Sequence, residues 1–368
     1  MNILYVSSKK RWGGVSSWMW RTALALEQRG HAVYILAHPD GRFIANTRGQ
    51  KRILPFKLGM DYNPLAIRHL VKRIGQHRVQ LVVTNIEKEV IAGGIAARLC
   101  GIPNIRRVGR EDDFNNKLKV RWHHRRLVDR CVVPCNRVRD NAIKRAPWLD
   151  KSQFTTIYNG KNPVSFSKEA IEAQRKEWGV SKNHLIIGVT SQLSRQKNVD
   201  RLVRVFIRLR ESYDHIVLVI TGEGKEQDAL HRMVREAQLE QWVVFSGFTN
   251  NPLRAAAAYD IAVSSSGFEG FPNTVVEYFA AGRPVVTTDA GGVSEMVRDR
   301  ENGVLVPVED DARLYQGIAM LLEDEDLRSK LADNAMKTIV DGFSETHMMD
   351  RLEMFFSESI AINEKQRG

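Results

Sequence analysis

Short, nearly continuous apolar runs recur along this chain, and most are followed by a stretch with helical spacing of apolar positions. In the first half the runs are NILYVSS from residue 2, HAVYILAH at 31–38, VQLVVTN at 79–85, NIRRVGR at 104–110 and CVVPCN at 131–136. Helical spacing follows over 18–29, 88–98 and 137–145, and TTIYNGKNP at 155–163 ends this half on turn signals. The rhythm then restarts, with runs at 184–191, 215–222, 242–247, 260–266 and 283–289. Helices are predicted between them at 198–211, 225–238, 252–258, 273–281 and 293–298, and the tail over 309–360 has helical spacing.

An apolar run without alternation suits a strand buried on both faces, the condition of a parallel strand covered by helices. Strand and helix in alternation predict βαβ units and an open, mainly parallel sheet. Two such α/β sheets, joined near 161–183, predict two Rossmann-like domains facing each other across a cleft. Length agrees, since 368 residues exceed one ordinary α/β core and suit two. Ligands of doubly wound sheets bind outside the carboxyl ends of the strands, so the site is expected there.

Charge sharpens this picture. Residues 1–165 carry 31 Lys and Arg against 11 Asp and Glu, a net of +20, whereas 166–368 carry 24 against 32, a net of −8. The densest basic block is RRVGREDDFNNKLKVRWHHRRLVDR at 106–130. Nucleic acid, an anionic membrane surface or an acidic substrate would each match such a half. No recognition-helix, zinc-finger or aromatic-platform signature supports nucleic acid. No stretch approaches the roughly 18 apolar residues of a bilayer span, and the start MNILYVSS lacks the marks of a signal peptide. The expectation is a cytoplasmic protein. Cys100, Cys131 and Cys135 read as core filling rather than a disulfide framework or metal site.

The most informative stretch is GFEGFPNTVVEYFAAGRPVVTTDAGG at 267–292. Strand 260–266 delivers Glu269 to a loop beyond a carboxyl edge. Pro272 suits a helix start, and Asn273 caps that helix or stands in its first turn. The first turn offers free backbone N–H groups to a phosphate, and Glu277, one turn in, can grip a ribose diol. Glu269 would hold hydroxyls beyond the phosphates. Taken alone, either glutamate also reads as a solvated surface residue. In GVTSQLSRQKNVDRL at 188–202, Gln192 reaches the same edge, and Arg195 and Lys197 would neutralise a departing diphosphate. TGEGKEQ at 221–227 puts Gly222 in a turn that admits close backbone approach. Gly13 and Gly14 resemble a phosphate-approach loop, but no G-x-G-x-x-G, no acid near residue 51 and no G-x-x-x-x-G-K-[ST] is present, which disfavours nicotinamide and P-loop chemistry. No metal cluster is legible.

These residues together resemble the retaining glycosyltransferases of family 4, which have GT-B architecture. The Glu-x7-Glu frame, the A-x-G-x-P-V-V run and GG-x-x-E within 269–297 carry the likeness, which extends through 188–198, 221–224, 243–248, Asn159-Gly160 and Gly13-Gly14. The resemblance implies a nucleotide diphosphate sugar as donor substrate, no tightly bound cofactor and no required metal. It implies that Lys197 grips the phosphates, Glu277 the ribose and Glu269 the donor sugar. Backbone N–H groups around Phe271–Thr274 (those of Phe271, Asn273 and Thr274, with Pro272 between) would meet sugar and phosphate, with Gly13 and Gly14 approaching the diphosphate. The implied domains are an acceptor-binding 1–165, a donor-binding 166–345 and a helix over 346–368 that crosses back. Two positions depart from the family pattern. Gln192 stands where an Arg is usual, with Arg195 as the candidate substitute. Gly109 falls where a His is usual; Arg110, Glu111, Asp112 and Asp113 follow, and Asp112 is the expected catalytic acid near the acceptor.

The implied acceptor is an acidic or lipid-linked glycan, with a bacterial lipopolysaccharide or surface polysaccharide as product. Lys117, Lys119, Arg121, Arg125 and Arg126, mixed with Phe114 and Trp122, are expected to bind the inner face of the membrane. Two alternatives stay open: a sugar-nucleotide epimerase of the same fold, and a basic nucleic-acid-binding protein.

Overall fold

The computed structural model describes residues 1–47, 52–109 and 111–367. The chain divides into two units: residues 1–158 with 349–368, and residues 159–348.

In the first unit, seven strands form one parallel sheet: β1 (Asn2–Ser7), β2 (Ala32–Ala37), β3 (Ile53–Pro55), β4 (Leu81–Thr84), β5 (Asn104–Arg107), β6 (Arg130–Val133) and β7 (Phe154–Thr156). Their spatial order is β3-β2-β1-β4-β5-β6-β7. The connections are α1 (Gly14–Gln28), α2 (Arg42–Asn46), α3 (Pro64–Gln76), α4 (Glu87–Cys100), α5 (Leu118–Leu127) and α6 (Asn136–Arg145). β1 and β4 are buried almost throughout, as their unbroken apolar sequences require.

The second unit repeats the plan. Its helices are α7 (Lys168–Glu177), α8 (Val199–Arg210), α9 (Gln227–Glu236), α10 (Pro252–Ala257), α11 (Asn273–Ala280), α12 (Asp311–Glu323) and α13 (Glu325–Thr338). The strands are β8 (Leu185–Thr190), β9 (Ile216–Thr221), β10 (Val243–Gly247), β11 (Ile261–Ser264), β12 (Val285–Thr288) and β13 (Val304–Val306), in the order β10-β9-β8-β11-β12-β13. α14 (Glu345–Lys365) ends the chain, and from Met349 onward it belongs to the first unit. There Arg29 pairs with Asp350 at 2.6 Å, and His31 and Arg29 meet Glu353 at 2.8 and 3.1 Å. His31, then Arg29, holds the Glu353 carboxyl below its usual range.

Both sheets therefore have the Rossmann order, in which the strand order reverses beside the first strand of the unit. The two-domain Rossmann-like reading of the sequence holds. The structure adds β3, β7, β13, α2, α3, α5 and α7, which the pattern did not announce. The predicted helix at 293–298 is only a 3-10 turn over Val293–Glu295. Cys131 and Cys135 are buried and none of the three cysteines is in a disulfide; burial pushes the Cys131 thiol up to about 12.

Phe114 corrects an expectation. It is fully buried, edge-on to His124, Trp148 and Phe154, with the Arg106 guanidinium 4.3 Å above its ring. It belongs to the core and not to an exposed basic face. Trp122, by contrast, is 54% exposed.

One glycine decides how β8 sits. A Cβ on Gly188 would fall 2.1 Å from the ring of Tyr259, so only glycine lets that ring lie against the strand. Gly188→Val is expected to destabilise the second unit by about 1–3 kcal/mol through overpacking, read as a lower midpoint in thermal unfolding. Gly14→Ala, whose Cβ meets nothing within 4 Å, should leave the midpoint unchanged or slightly raised.

Candidate functional site

In the second sheet the order reverses between β8 and β11, and a ligand crevice is expected at the carboxyl ends of those two strands. The loop after β8 holds a 3-10 turn over Arg195–Lys197, and the loop after β11 holds Glu269. The two loops are laced together. Gln196 Nε2 donates to the Phe268 carbonyl at 2.9 Å, and the Gly267 N–H donates to the Gln196 carbonyl at 2.9 Å. Ser265 Oγ reaches the Lys197 and Asn198 carbonyls at 3.1 and 2.9 Å. Asn198 adopts the left-handed region at φ 47°, which turns the chain into α8.

This lacing brings Lys197 onto Glu269. Lys197 Nζ lies 2.5 Å from Glu269 Oε1, and Ser266 Oγ donates to the same oxygen at 2.7 Å. Both side chains are mostly buried, at 21% and 11% exposure. One carboxylate oxygen is thus fixed, and the other has no partner among the described residues. Behind the loop, a Cβ on Gly291 would lie 1.8 Å from the Glu269 carbonyl oxygen, and Gly291 has φ +62°. Only glycine allows that approach, which gives the GG-x-x-E run its structural reason.

α11 begins at the same edge. Pro272 is its N-cap and Asn273 its first residue, with no side-chain cap and no acid in the first turn. The Asn273 N–H donates to the Phe271 carbonyl at 2.9 Å and the Val276 N–H to the Pro272 carbonyl at 3.1 Å, which leaves the Thr274 and Val275 amides open to an anion. Asn273 is not a cap; its Oδ1 accepts from Asn159 Nδ2 at 2.9 Å. Phe271 is buried and stacks on Phe343. Thr274 is half-buried. Glu277, one turn in, has Lys161 Nζ at 3.7 Å, with side chains 17% and 22% exposed. Sequence reasoning missed Lys161. Its only signal was the Asn-Gly turn beside it, and no spacing rule links positions so far apart.

The remaining candidates scatter. Gln192 is exposed at the same edge. A Cβ on Gly222, which has φ +135°, would lie 1.9 Å from the Ser191 carbonyl oxygen, so this glycine brings the ends of β8 and β9 together. Arg195 is not brought to the Lys197–Glu269 cluster. Its side chain is 94% exposed and lies 3.8 Å from Glu226, because the 3-10 turn directs it to solvent. In the first unit Gly13 is the N-cap of α1, without a side-chain cap, and a Cβ on Gly13 or Gly14 would meet nothing within 4 Å. Gly109 lies near Val15. Asp112 is exposed on the turn after β5, where Asp113 accepts the Gly109 N–H at 2.9 Å. Arg110 lies outside the described residues.

Among the described residues no helix is long and apolar enough to cross a membrane, and no group of three His, Cys, Asp or Glu side chains is arranged to hold a metal ion. A cation, a carboxylate with one free oxygen and an open helix start suit a ligand that is both phosphorylated and rich in hydroxyls.

Comparison with known proteins agrees. The Glycosyl transferases group 1 profile matches residues 170–338, and the Glycosyltransferase Family 4 profile matches residues 12–163. The N-acetylgalactosamine-N,N'-diacetylbacillosaminyl-diphospho-undecaprenol 4-alpha-N-acetylgalactosaminyltransferase of Campylobacter jejuni is 36% identical over 188 residues, 51% of this chain and 49% of that protein. The UDP-Gal:alpha-D-GlcNAc-diphosphoundecaprenol alpha-1,3-galactosyltransferase of Escherichia coli is 22% identical over 305 residues, 79% of this chain and 78% of that protein. For the first curated relatives the match spans about half of their own length. The crystal structure of HepE from Anabaena in complex with UDP superposes with a TM-score of 0.85 over 97% of this chain and 100% of that one, at 21% identity. With matched profiles on both units and this fold, the chain belongs to the group 1, family 4-like glycosyltransferases of GT-B architecture.

Proposed function

We propose that this protein is a retaining glycosyltransferase. It moves a sugar from a UDP-linked nucleotide sugar to a glycan or lipid-linked glycan acceptor, in bacterial lipopolysaccharide or surface polysaccharide biosynthesis. The observation that carries this reading is the Lys197–Glu269–Ser266 cluster beside the open start of α11, at the strand-order reversal. Relatives that act on diphospho-undecaprenol-linked glycans and a structural neighbour that binds UDP support it.

In this reading the α11 amides and Lys197 take the diphosphate. Charge grows on that group as the anomeric bond breaks, so these donors stabilise the transition state more than the ground state. Lys197 supplies positive charge without a metal ion. Glu277 accepts from the ribose diol, oriented by Lys161. The free oxygen of Glu269 accepts from a donor-sugar hydroxyl, since its other oxygen is held by Lys197 and Ser266. Attack on the same face retains configuration, with the leaving phosphate taking the acceptor proton, so no protein nucleophile is needed. Gly13 and Gly14 leave the start of α1 open to a phosphate. The geometry gives no support to a phosphate role for Arg195.

The acceptor side of the proposal rests on the first unit. Lys117, Lys119, Arg125 and Arg126 are exposed on and beside α5, with Leu118 80% and Trp122 54% exposed among them. Exposed cations interleaved with apolar side chains suit an anionic bilayer. The protein would then work as a cytoplasmic enzyme held peripherally at the inner face of the membrane.

Calorimetry with a panel of sugar nucleotides should find a selective UDP-sugar whose binding Glu277→Ala abolishes; equal binding by the variant would defeat the assignment. Lys197→Ala should lower kcat about a hundredfold, roughly 3 kcal/mol, and a kcat within about threefold of wild type would count against it. In vesicle flotation, the protein should rise with phosphatidylglycerol vesicles and not with neutral ones. Arg125→Glu/Arg126→Glu should cut that partition more than tenfold, at about 1 kcal/mol per cation.

A further inference from the structure

The first unit has its own strand-order reversal, between β1 and β4, and a cluster there has no role in the reading above. His38 directly follows β2 and is 6% exposed. The Asp40 N–H donates to its Nδ1 at 3.2 Å. The neutral ring therefore carries its proton on Nε2, and that N–H has no partner among the described residues.

Four charged side chains act on this ring, each from a different carboxyl-edge segment. Lys10 comes from the turn after β1, Asp40 from the turn after β2, Lys57 from the segment after β3 and Lys88 from the first turn of α4. Asp40 Oδ2 lies 3.9 Å from both Lys10 Nζ and His38 Nδ1 and is 72% exposed. Lys10 and Lys57 are exposed, and Lys88 is half-buried. Three ammonium groups thus act on the ring against one carboxylate. Burial, then Lys10, Lys57 and Lys88, hold the His38 imidazole below its usual range, against the pull of Asp40. A buried donor N–H on a ring whose protonation three lysines oppose is a site short of an anion.

We propose that Lys10, His38, Lys57 and Lys88 form an anion subsite for a phosphate or diphosphate group carried by the acceptor. The inference rests on the glycosyl-transfer reading and makes it more specific, because a neutral glycan acceptor has no use for such a site. An acceptor diphosphate bound there would be fixed by His38 Nε2–H and the lysines, and so would set which sugar hydroxyl reaches the donor.

The test uses the full chain saturated with UDP, so that the donor site is filled. Inorganic pyrophosphate is titrated by calorimetry, and the His38 ring is followed by proton NMR across pH. Binding of pyrophosphate beyond the UDP site is expected, weakened more than tenfold in Lys57→Ala/Lys88→Ala. The His38 pKa should rise on binding, because the anion cancels the repulsion of the lysines. Farnesyl diphosphate should bind through the same lysines and farnesol should not, which separates a lipid-linked diphosphate from a free anion. Absence of a second pyrophosphate event, indifference to the lysine substitutions, or displacement of pyrophosphate by excess UDP would each overturn the subsite. If UDP itself fails to bind, the donor reading falls, while pyrophosphate binding that needs the lysines still carries the subsite.

Discussion

The reversal of strand order between β8 and β11 is the constraint on which the rest of the second unit depends. Connections leave the two strands in opposite directions, so their loops part and open a crevice. Left unbraced, such loops would not hold side chains to within a fraction of an ångström, as catalysis demands. Here backbone carbonyls do the bracing. Gln196, Phe268, Lys197 and Asn198 each offer a carbonyl to a donor on the opposite loop. The Lys197–Glu269 pair is thus a consequence of backbone lacing more than a cause of it. Loss of either side chain should leave the crevice in place.

The layer beneath the crevice is polar, which is costly unless every group is satisfied. Tyr259 Oη lies 2.9 Å from Thr190 Oγ1 and 2.8 Å from Thr221 Oγ1, and Ser246 Oγ lies 2.8 Å from the latter. Tyr278 Oη accepts the Thr190 N–H at 2.7 Å. Burial pushes the Tyr259 hydroxyl up to about 12 and raises Tyr278 as well, so both stay neutral. This network ties the ends of β8 and β9 to α11, the helix that carries Glu277. Gly188 is where the sequence makes room for it.

How far the sequence could be read follows from the same physics. Strands such as HIVLVITG were legible because a parallel strand covered on both faces has no polar alternation to confuse. The five-residue Asn-Gly to Asn-Pro turn region was visible, yet the pairing of Lys161 with Glu277 was not, because only the folded sheet brings 161 near 277. α5 and α7 were hidden by their charge: LKVRWHHRRL and KEAIEAQRKE have few apolar positions from which to read a period. β3 and β13 are three residues each, too short to register. Lys197 and Glu269 were both legible from motif spacing, but their contact was not. Arg195 misled for a local reason, since a 3-10 turn sends side chains two positions apart to different sides.

The two units use one topology with opposite electrostatics. Each has a carboxylate beside its strand-order reversal, but in the first unit that carboxylate is occupied by backbone. Glu89, 1% exposed, accepts from the Ser8 N–H and Oγ at 2.7 and 2.9 Å and from the Asn85 and Ile86 N–H groups at 3.1 and 3.2 Å. It holds the start of the β1–α1 turn to the start of α4 and presents no free oxygen to a ligand. Glu269, held through a single oxygen, keeps the other available. The division of net charge, +20 in residues 1–165 and −8 in 166–368, is thus expressed at the two strand edges as well as over the surface. In the reading proposed above, one edge accepts from hydroxyls and the other donates to an anion.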